Sequence, residues 1–228
     1  MPESNIITID PERPEADHIR IGAEKIRGGG VIVFPTQCLY GLGADAFNTD
    51  AIDQVFKLKR RPLESPLLIL IPSRKDLLNI TNHISPAAER IMDIFWPGSV
   101  TIIFEANSML PVGLTAGTGK IGVRLPLHPV AKQLVREAGR PITGTSANIS
   151  GEPGCKQISE ISQSIIRSAD LVINAGRLKG GIGSTVVDVT VEPPHILREG
   201  IIPVKAIMAA IPGLRQSRAS VRNQKATK

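Results

Sequence analysis

The 228-residue sequence has little of what staples or metallates a fold. Its two cysteines, Cys38 and Cys155, lie far apart and form no Cys-x-x-Cys pair. A disulfide framework is therefore excluded, and a reduced, cytoplasmic setting is expected. Its four histidines, His18, His83, His128 and His195, show no metal-ligand spacing, so no tightly bound metal is expected. No apolar run approaches the roughly eighteen residues that span a bilayer. Residues Met1–Asn5 supply no cationic segment ahead of an apolar one, so neither a signal peptide nor a membrane partner is expected. There is no Gly-x-Ser-x-Gly elbow. Cys38 has no partner that would make it a thiolate, and it reads as a small buried side chain. Acidic residues are missing altogether from Gly213–Lys228.

That last absence explains most of the charge. The net charge is +6, and Arg215, Arg218, Arg222, Lys225 and Lys228 carry all but about +1 of it. The isoelectric point near 9.6 thus marks a basic, flexible tail at 213–228, either solvated or touching RNA, and not a basic body. Hydrophobic residues make up 42%, and mean hydropathy is +0.06, as a packed core requires. The division expected is a leader at 1–15, one α/β domain at 16–212 and the tail.

Along the chain, helical and strand signals alternate. Ala16, Ile19, Ala23 and Ile26 recur at helical spacing and stop at Gly28-Gly29-Gly30. Val31–Phe34 reads as a buried strand, followed by a glycine-bearing loop from Thr36 to Asp45. Thr49 and Asp50 open a helix. Leu67–Ile71, Ser99–Phe104, Ile121–Arg124 and Ile142–Thr145 read as strands, and His128–Ala138 as a helix between the last two. Ile158, Ile161, Ile165 and Ile166 line one face of a further helix. Leu171–Asn174, Ser184–Thr190 and His195–Arg198 read as closing strands before a last helix through Val204 and Ile211. Several late strands follow one another directly, which predicts one twisted mixed sheet flanked by helices.

Four cations crowd the turn after the second helix: Lys57, Lys59, Arg60 and Arg61. Pro62 and Pro66 stiffen it. It is either a solvated helix end that offsets the macrodipole or a phosphate clamp. Gly117–Gly122 spells Gly-x-Gly-x-x-Gly but leads into a strand, so it is no dinucleotide fingerprint, and it lacks the residues of a phosphate-binding P-loop. Polar and cationic residues at strand ends are Thr36, Lys59, Arg61, Arg124, Ser146, Asn148, Ser184 and Arg198. Cations without matched carboxylates imply an anionic ligand. The absence of a general base implies chemistry by positioning and charge neutralisation, as in nucleotidyl transfer.

Ordered motifs then carry a resemblance over about residues 15 to 212. They are Pro35-Thr36-Gln37-Cys38-Leu39-Tyr40-Gly41-Leu42-Gly43, Lys59-Arg60-Arg61-Pro62, Ser65-Pro66-Leu67 and Trp96-Pro97-Gly98-Ser99-Val100-Thr101. Gly122-Val123-Arg124-Leu125-Pro126, Ser146-Ala147-Asn148, Ser184–Asp188 and Arg198 complete the set. The chain resembles the YrdC/YciO-like family, whose well-understood members are threonylcarbamoyl-AMP synthases. Gln37-Cys38 stands for the usual Glu-Thr, Arg60 for a glycine, Ser65 for Asn, and Leu70 for a His that many members place beside threonine.

The resemblance implies a twisted α/β fold around a deep, positively charged cavity. It implies synthesis of L-threonylcarbamoyl-AMP from L-threonine, bicarbonate or CO2, and ATP with Mg2+, releasing pyrophosphate. That product feeds threonylcarbamoyl-transferase machinery acting on the tRNA adenosine next to the anticodon. Matched positions assign Thr36, Arg124, Ser146 and Ser184 to L-threonine. They assign Arg61, Ser65, Lys120, Asn148 and Arg198 to ATP, with Lys59 completing the Lys-x-Arg pair. Lys59 and Arg61 are expected to stabilise charge on the phosphates. Two alternatives stand beside this: an RNA-binding module of the same fold holding tRNA or double-stranded RNA, and a related enzyme acting on another small amino acid.

Overall fold

The computed structural model describes residues 5–211 and the backbone of 215–216. Of the expected tail, only the short strand at Arg215–Gln216 lies within them; the remainder falls outside the described residues.

The strands divide into two sheets rather than the single mixed sheet expected from their order. The first has the order β1 (Ile6–Thr8), β9 (Leu171–Asn174), β2 (Ile32–Pro35), β3 (Tyr40–Gly43) and β8 (Thr145–Ser146). The second has the order β12 (Arg215–Gln216), β11 (His195–Arg198), β10 (Thr185–Asp188), β5 (Val100–Glu105), β6 (Lys120–Arg124), β4 (Leu68–Leu70) and β7 (Ile142–Thr143). Both mix parallel and antiparallel pairs. Residues 40–43, read as loop for their glycines, are a central strand paired with β2 on one side and β8 on the other.

The helices follow their sequence signals. Asn48 caps α2 (Thr49–Lys59) by accepting from the Ala51 amide at 3.0 Å. Ser85 does the same for α3 (Pro86–Phe95), with proline at the first helical position. A short α4 (Val112–Thr115) has no counterpart in the sequence reading. α1 (Ala16–Arg27) and α5 (Pro129–Ala138) pack together over β2 and β9, where Ile19, Ala23, Ile26, Leu134 and Ile173 form one apolar cluster. The stretch expected as one helix at 158–166 is a 3-10 turn, Ile158–Glu160, followed by α6 (Gln163–Ser168). α7 (Val204–Ala210) closes the described chain against α3.

Period-two alternation positions the site. In the second sheet Ile69, Ile102, Val123 and Val187 turn one way into the larger apolar cluster. Leu68, Thr101, Gly122, Arg124 and Val186 turn the other way and face an open cavity. The chain crosses from the second sheet to the first at Gly144, between β7 and β8. The Gly144 amide donates to Leu68 O at 3.0 Å, and the Thr143 amide to Ala44 O at 2.8 Å. A Cβ at Gly144 would meet Leu70 Cγ at 2.7 Å, so the crossing admits only glycine without rearrangement.

Candidate active site

The cavity between the two sheets has a volume of about 520 Å³. Strand ends supply its polar groups: Thr36 after β2, Arg124 ending β6, Ser146 in β8, Ser184 ahead of β10 and Arg198 ending β11. Arg61 and Asn148 reach it from loops. Seven of the residues singled out from sequence thus meet on one wall system.

Arg124 is the most exceptional of them. It is only 8% exposed, and among the described residues no carbonyl, hydroxyl or carboxylate accepts from its guanidinium. Burial lowers its pKa to about 10, with the Cys38 thiol opposing the fall and Arg198 adding to it. A buried guanidinium without a partner is costly unless an anion joins it.

Arg61 and Arg198 form the second cationic group. Arg61 Nε donates to Ser65 O at 3.1 Å and Nη2 to Pro66 O at 2.9 Å, which fixes the side chain against its own loop. Arg198 Nε and Nη2 both donate to Ser184 O, at 3.2 and 2.9 Å. Burial, then repulsion from Arg198, holds the Arg61 pKa below its ordinary value. Two like charges oriented into one space, with Glu152 as the one carboxylate among the described lining residues, suit a polyanion.

Lys59 occupies a different place from the one expected. It is 1% exposed and does not line the cavity. Its ammonium donates to Ser146 O, to Asn148 O at 2.9 Å and to Asn148 Oδ1 at 3.2 Å. Ser146 Oγ also bonds Asn148 Oδ1, and Asn148 Nδ2 donates to Ile149 O and Glu152 O. Lys59 therefore locks the Ser146–Asn148 loop from behind. Its three donors are spent there, so direct contact with phosphate needs the loop to release it. Burial, then the charge of Arg61, lowers its pKa to about 8.

Two other residues assigned to ATP stand off the wall as well. Lys120 shares a face with Gly122 and Arg124 but sits at the far end of β6, where it pairs with Asp188 at 3.0 Å. Ser65 acts through its backbone carbonyl on Arg61. Leu70, on the same face of β4 as Leu68, is buried beneath Gly144 in the smaller apolar cluster and does not itself line the cavity. Cys38 is buried, and burial raises its thiol pKa, in keeping with a packing role. Sequence reasoning missed Thr101, although it lay inside a quoted motif. Its hydroxyl bonds Ser184 Oγ at 2.7 Å in the buried floor. Among the described residues no cluster of three or more His, Cys, Asp or Glu could hold a metal, and no helix is long and apolar enough to cross a membrane.

A family model, Sua5/YciO/YrdC, described as telomere recombination, matches residues 24–200. The chain belongs to the Sua5/YciO/YrdC family. Within this family, the threonylcarbamoyl-AMP synthase of Pyrococcus abyssi is 36% identical over 204 residues, covering 90% of this chain and 60% of that protein. The putative threonylcarbamoyl-AMP synthase of Mycobacterium tuberculosis H37Rv is 32% identical, over 87% of this chain and 90% of that one. The crystal structure of P. abyssi Sua5 complexed with L-threonine superposes with a TM-score of 0.89 at 36% identity, covering 93% of this chain and 62% of that chain. Escherichia coli YciO gives 0.81 at 28% identity, covering 89% and 98%. The chain spans 60% and 58% of the length of the P. abyssi and Bacillus subtilis synthases.

Proposed function

We propose that the cavity condenses L-threonine, bicarbonate or CO2, and ATP into L-threonylcarbamoyl-AMP with release of pyrophosphate. The observation that carries this reading is Arg124, a buried guanidinium with no partner among the described residues, on the wall of a cavity of small-molecule size. A bidentate carboxylate is the ligand that its planar fork fits. Thr36, Ser146 and Ser184 border the same space and supply hydroxyls for the rest of the amino acid. Arg61 and Arg198 are suited to the triphosphate.

In this reading threonine's amine bonds to CO2 as a carbamate, and a carbamate oxygen attacks the α-phosphorus of ATP. The bond to the β-phosphate oxygen breaks, and pyrophosphate carries away the electron pair. No side chain needs to form a covalent bond. The protein positions the reactants and neutralises charge that builds on the leaving group. Mg2+ brought in with ATP would add charge neutralisation on the phosphates, and Glu152, a carboxylate on the described wall, is the residue that would help hold it. The resemblance to synthases named for this product supports the same assignment, as does the likeness to a Sua5 structure that holds L-threonine.

The test is incubation with ATP, bicarbonate and labelled threonine. Pyrophosphate and a labile labelled adenylate are expected together. Pyrophosphate with serine but not threonine would move the assignment to another amino acid, and no pyrophosphate with any amino acid would end it.

A further inference from the structure

The basic turn points two ways. Arg61 enters the cavity, whereas Lys57 and Arg60 point outward into a separate groove between the C-terminal end of α2 and α6. That groove has a volume of about 330 Å³ and is lined by Gln54, Lys57, Leu58, Arg60, Ser164 and Ser168. Its polar lining offers an ammonium, a guanidinium, a carboxamide and two hydroxyls, and no carboxylate. Gln54 and Lys57 are spaced i, i+3 on α2, and Ser164 and Ser168 i, i+4 on α6, so each pair shares a helix face. Asp53, one turn before Lys57, makes no ion pair with it, and among the described residues neither Lys57 nor Arg60 has an ion pair or side-chain hydrogen bond.

The backbone at Arg60 adds a second, independent observation. Arg60 ends α2 in the left-handed region, with φ 48° and ψ 42°. The Arg61 amide reaches back to Phe56 O and the Arg60 amide to Lys57 O, the helix termination that glycine ordinarily completes. An arginine there accepts strain that glycine avoids, and its side chain projects into the groove.

We infer that the groove between α2 and α6 is a phosphate-binding site distinct from the cavity, with Lys57 and Arg60 as its cations and Ser164 and Ser168 as hydroxyl donors. Its ligand is either a free phosphate or pyrophosphate ion or the phosphodiester backbone of RNA; all offer the same oxyanion chemistry.

The test measures binding to the full chain without ATP or threonine. The probes are inorganic phosphate, pyrophosphate and a short fluorescent RNA duplex, the last over a salt series. The proteins are wild type, the double variant K57Q/R60G, the cavity variant R61A/R198A, and the combination of the two. Arg60→Gly relieves backbone strain, so the double variant should keep the wild-type melting temperature. Arg61 and Arg198 suit a polyanion in the cavity, so the groove is read in the R61A/R198A background: adding K57Q/R60G there should weaken binding of at least one probe by at least about fivefold. Loss of duplex binding alone, with a salt slope shallower by about two, identifies phosphodiester as the source. Loss of phosphate or pyrophosphate binding identifies a free ion. The inference is overturned if no probe binds R61A/R198A, or if adding K57Q/R60G leaves every probe bound as tightly as before.

Discussion

Replacing Arg124 by methionine separates stability from function in opposite directions. In the free protein no described residue accepts from the buried guanidinium, and burial lowers its pKa to about 10, which disfavours its charged form. Methionine keeps the bulk and removes that charge, and the main-chain bond from the Ile71 amide to Arg124 O is untouched. The free variant should therefore melt at the same temperature or a few degrees higher, at about 2–4 °C per kcal/mol for a chain of this size. Binding should move the other way. Breaking a buried charge pair costs about 3–5 kcal/mol, so threonine affinity should fall by about 150- to 5,000-fold. Calorimetry with threonine and a thermal melt on the same samples give both quantities. Wild-type threonine affinity would refute the carboxylate role. A melting temperature lower by many degrees would show instead that the guanidinium supports the fold.

Two further predictions concern residues around the same cavity. Lys59 titrates near 8 when buried, against 10.5 when solvated. From about pH 8 to 10.5 the native state releases this proton before the unfolded state does, so unfolding takes up a proton and this residue's share of stability rises with pH. Function runs the opposite way: the neutral amine has two donors for three acceptors, so kcat/KM should decline above about pH 8, and a profile flat to about pH 9.5 would show that the ammonium does not organise the Ser146–Asn148 loop. Gly144→Ala places a methyl 2.7 Å from Leu70 Cγ and 2.9 Å from Leu68 Cδ1, and it should cost about 1–3 kcal/mol in denaturant melts. An unchanged midpoint would mean that the two leucines yield freely.

Helix ends were legible because caps are local. Gly28-Gly29-Gly30 stops α1 and Thr49 and Asp50 open α2 by their own chemistry, although the cap itself, Asn48, went unmarked. Sheet membership was not legible, because it depends on which distant strands pair. Residues 142–145 read as one strand, yet a single glycine hands the chain from one sheet to the other. The same distinction runs through the site. Strand-end position was enough to bring Thr36, Arg124, Ser146, Ser184 and Arg198 together. It was not enough for Lys59, since spacing within a helical turn does not say whether a long side chain points at solvent, at a ligand or at a neighbouring loop. The four cations of 57–61 have three destinations: the loop behind the site, the cavity and the outer groove. Thr101 escaped notice because a threonine on a strand carries no signal of its own until its hydroxyl is seen against Ser184.

The glycines of the floor set a direction for change. Gly41, Gly122 and Gly144 all border the cavity, and a Cβ at any of them meets a neighbour at 3.2 Å or less. These positions already carry the smallest side chain available, so point mutation there can only fill the chamber. A lineage, or a designer, seeking to admit a larger ligand must trim elsewhere, at Leu39 or Leu68 on the wall. The floor acts as a ratchet: drift at its glycines narrows the range of acceptable substrates, and widening that range requires different residues altogether.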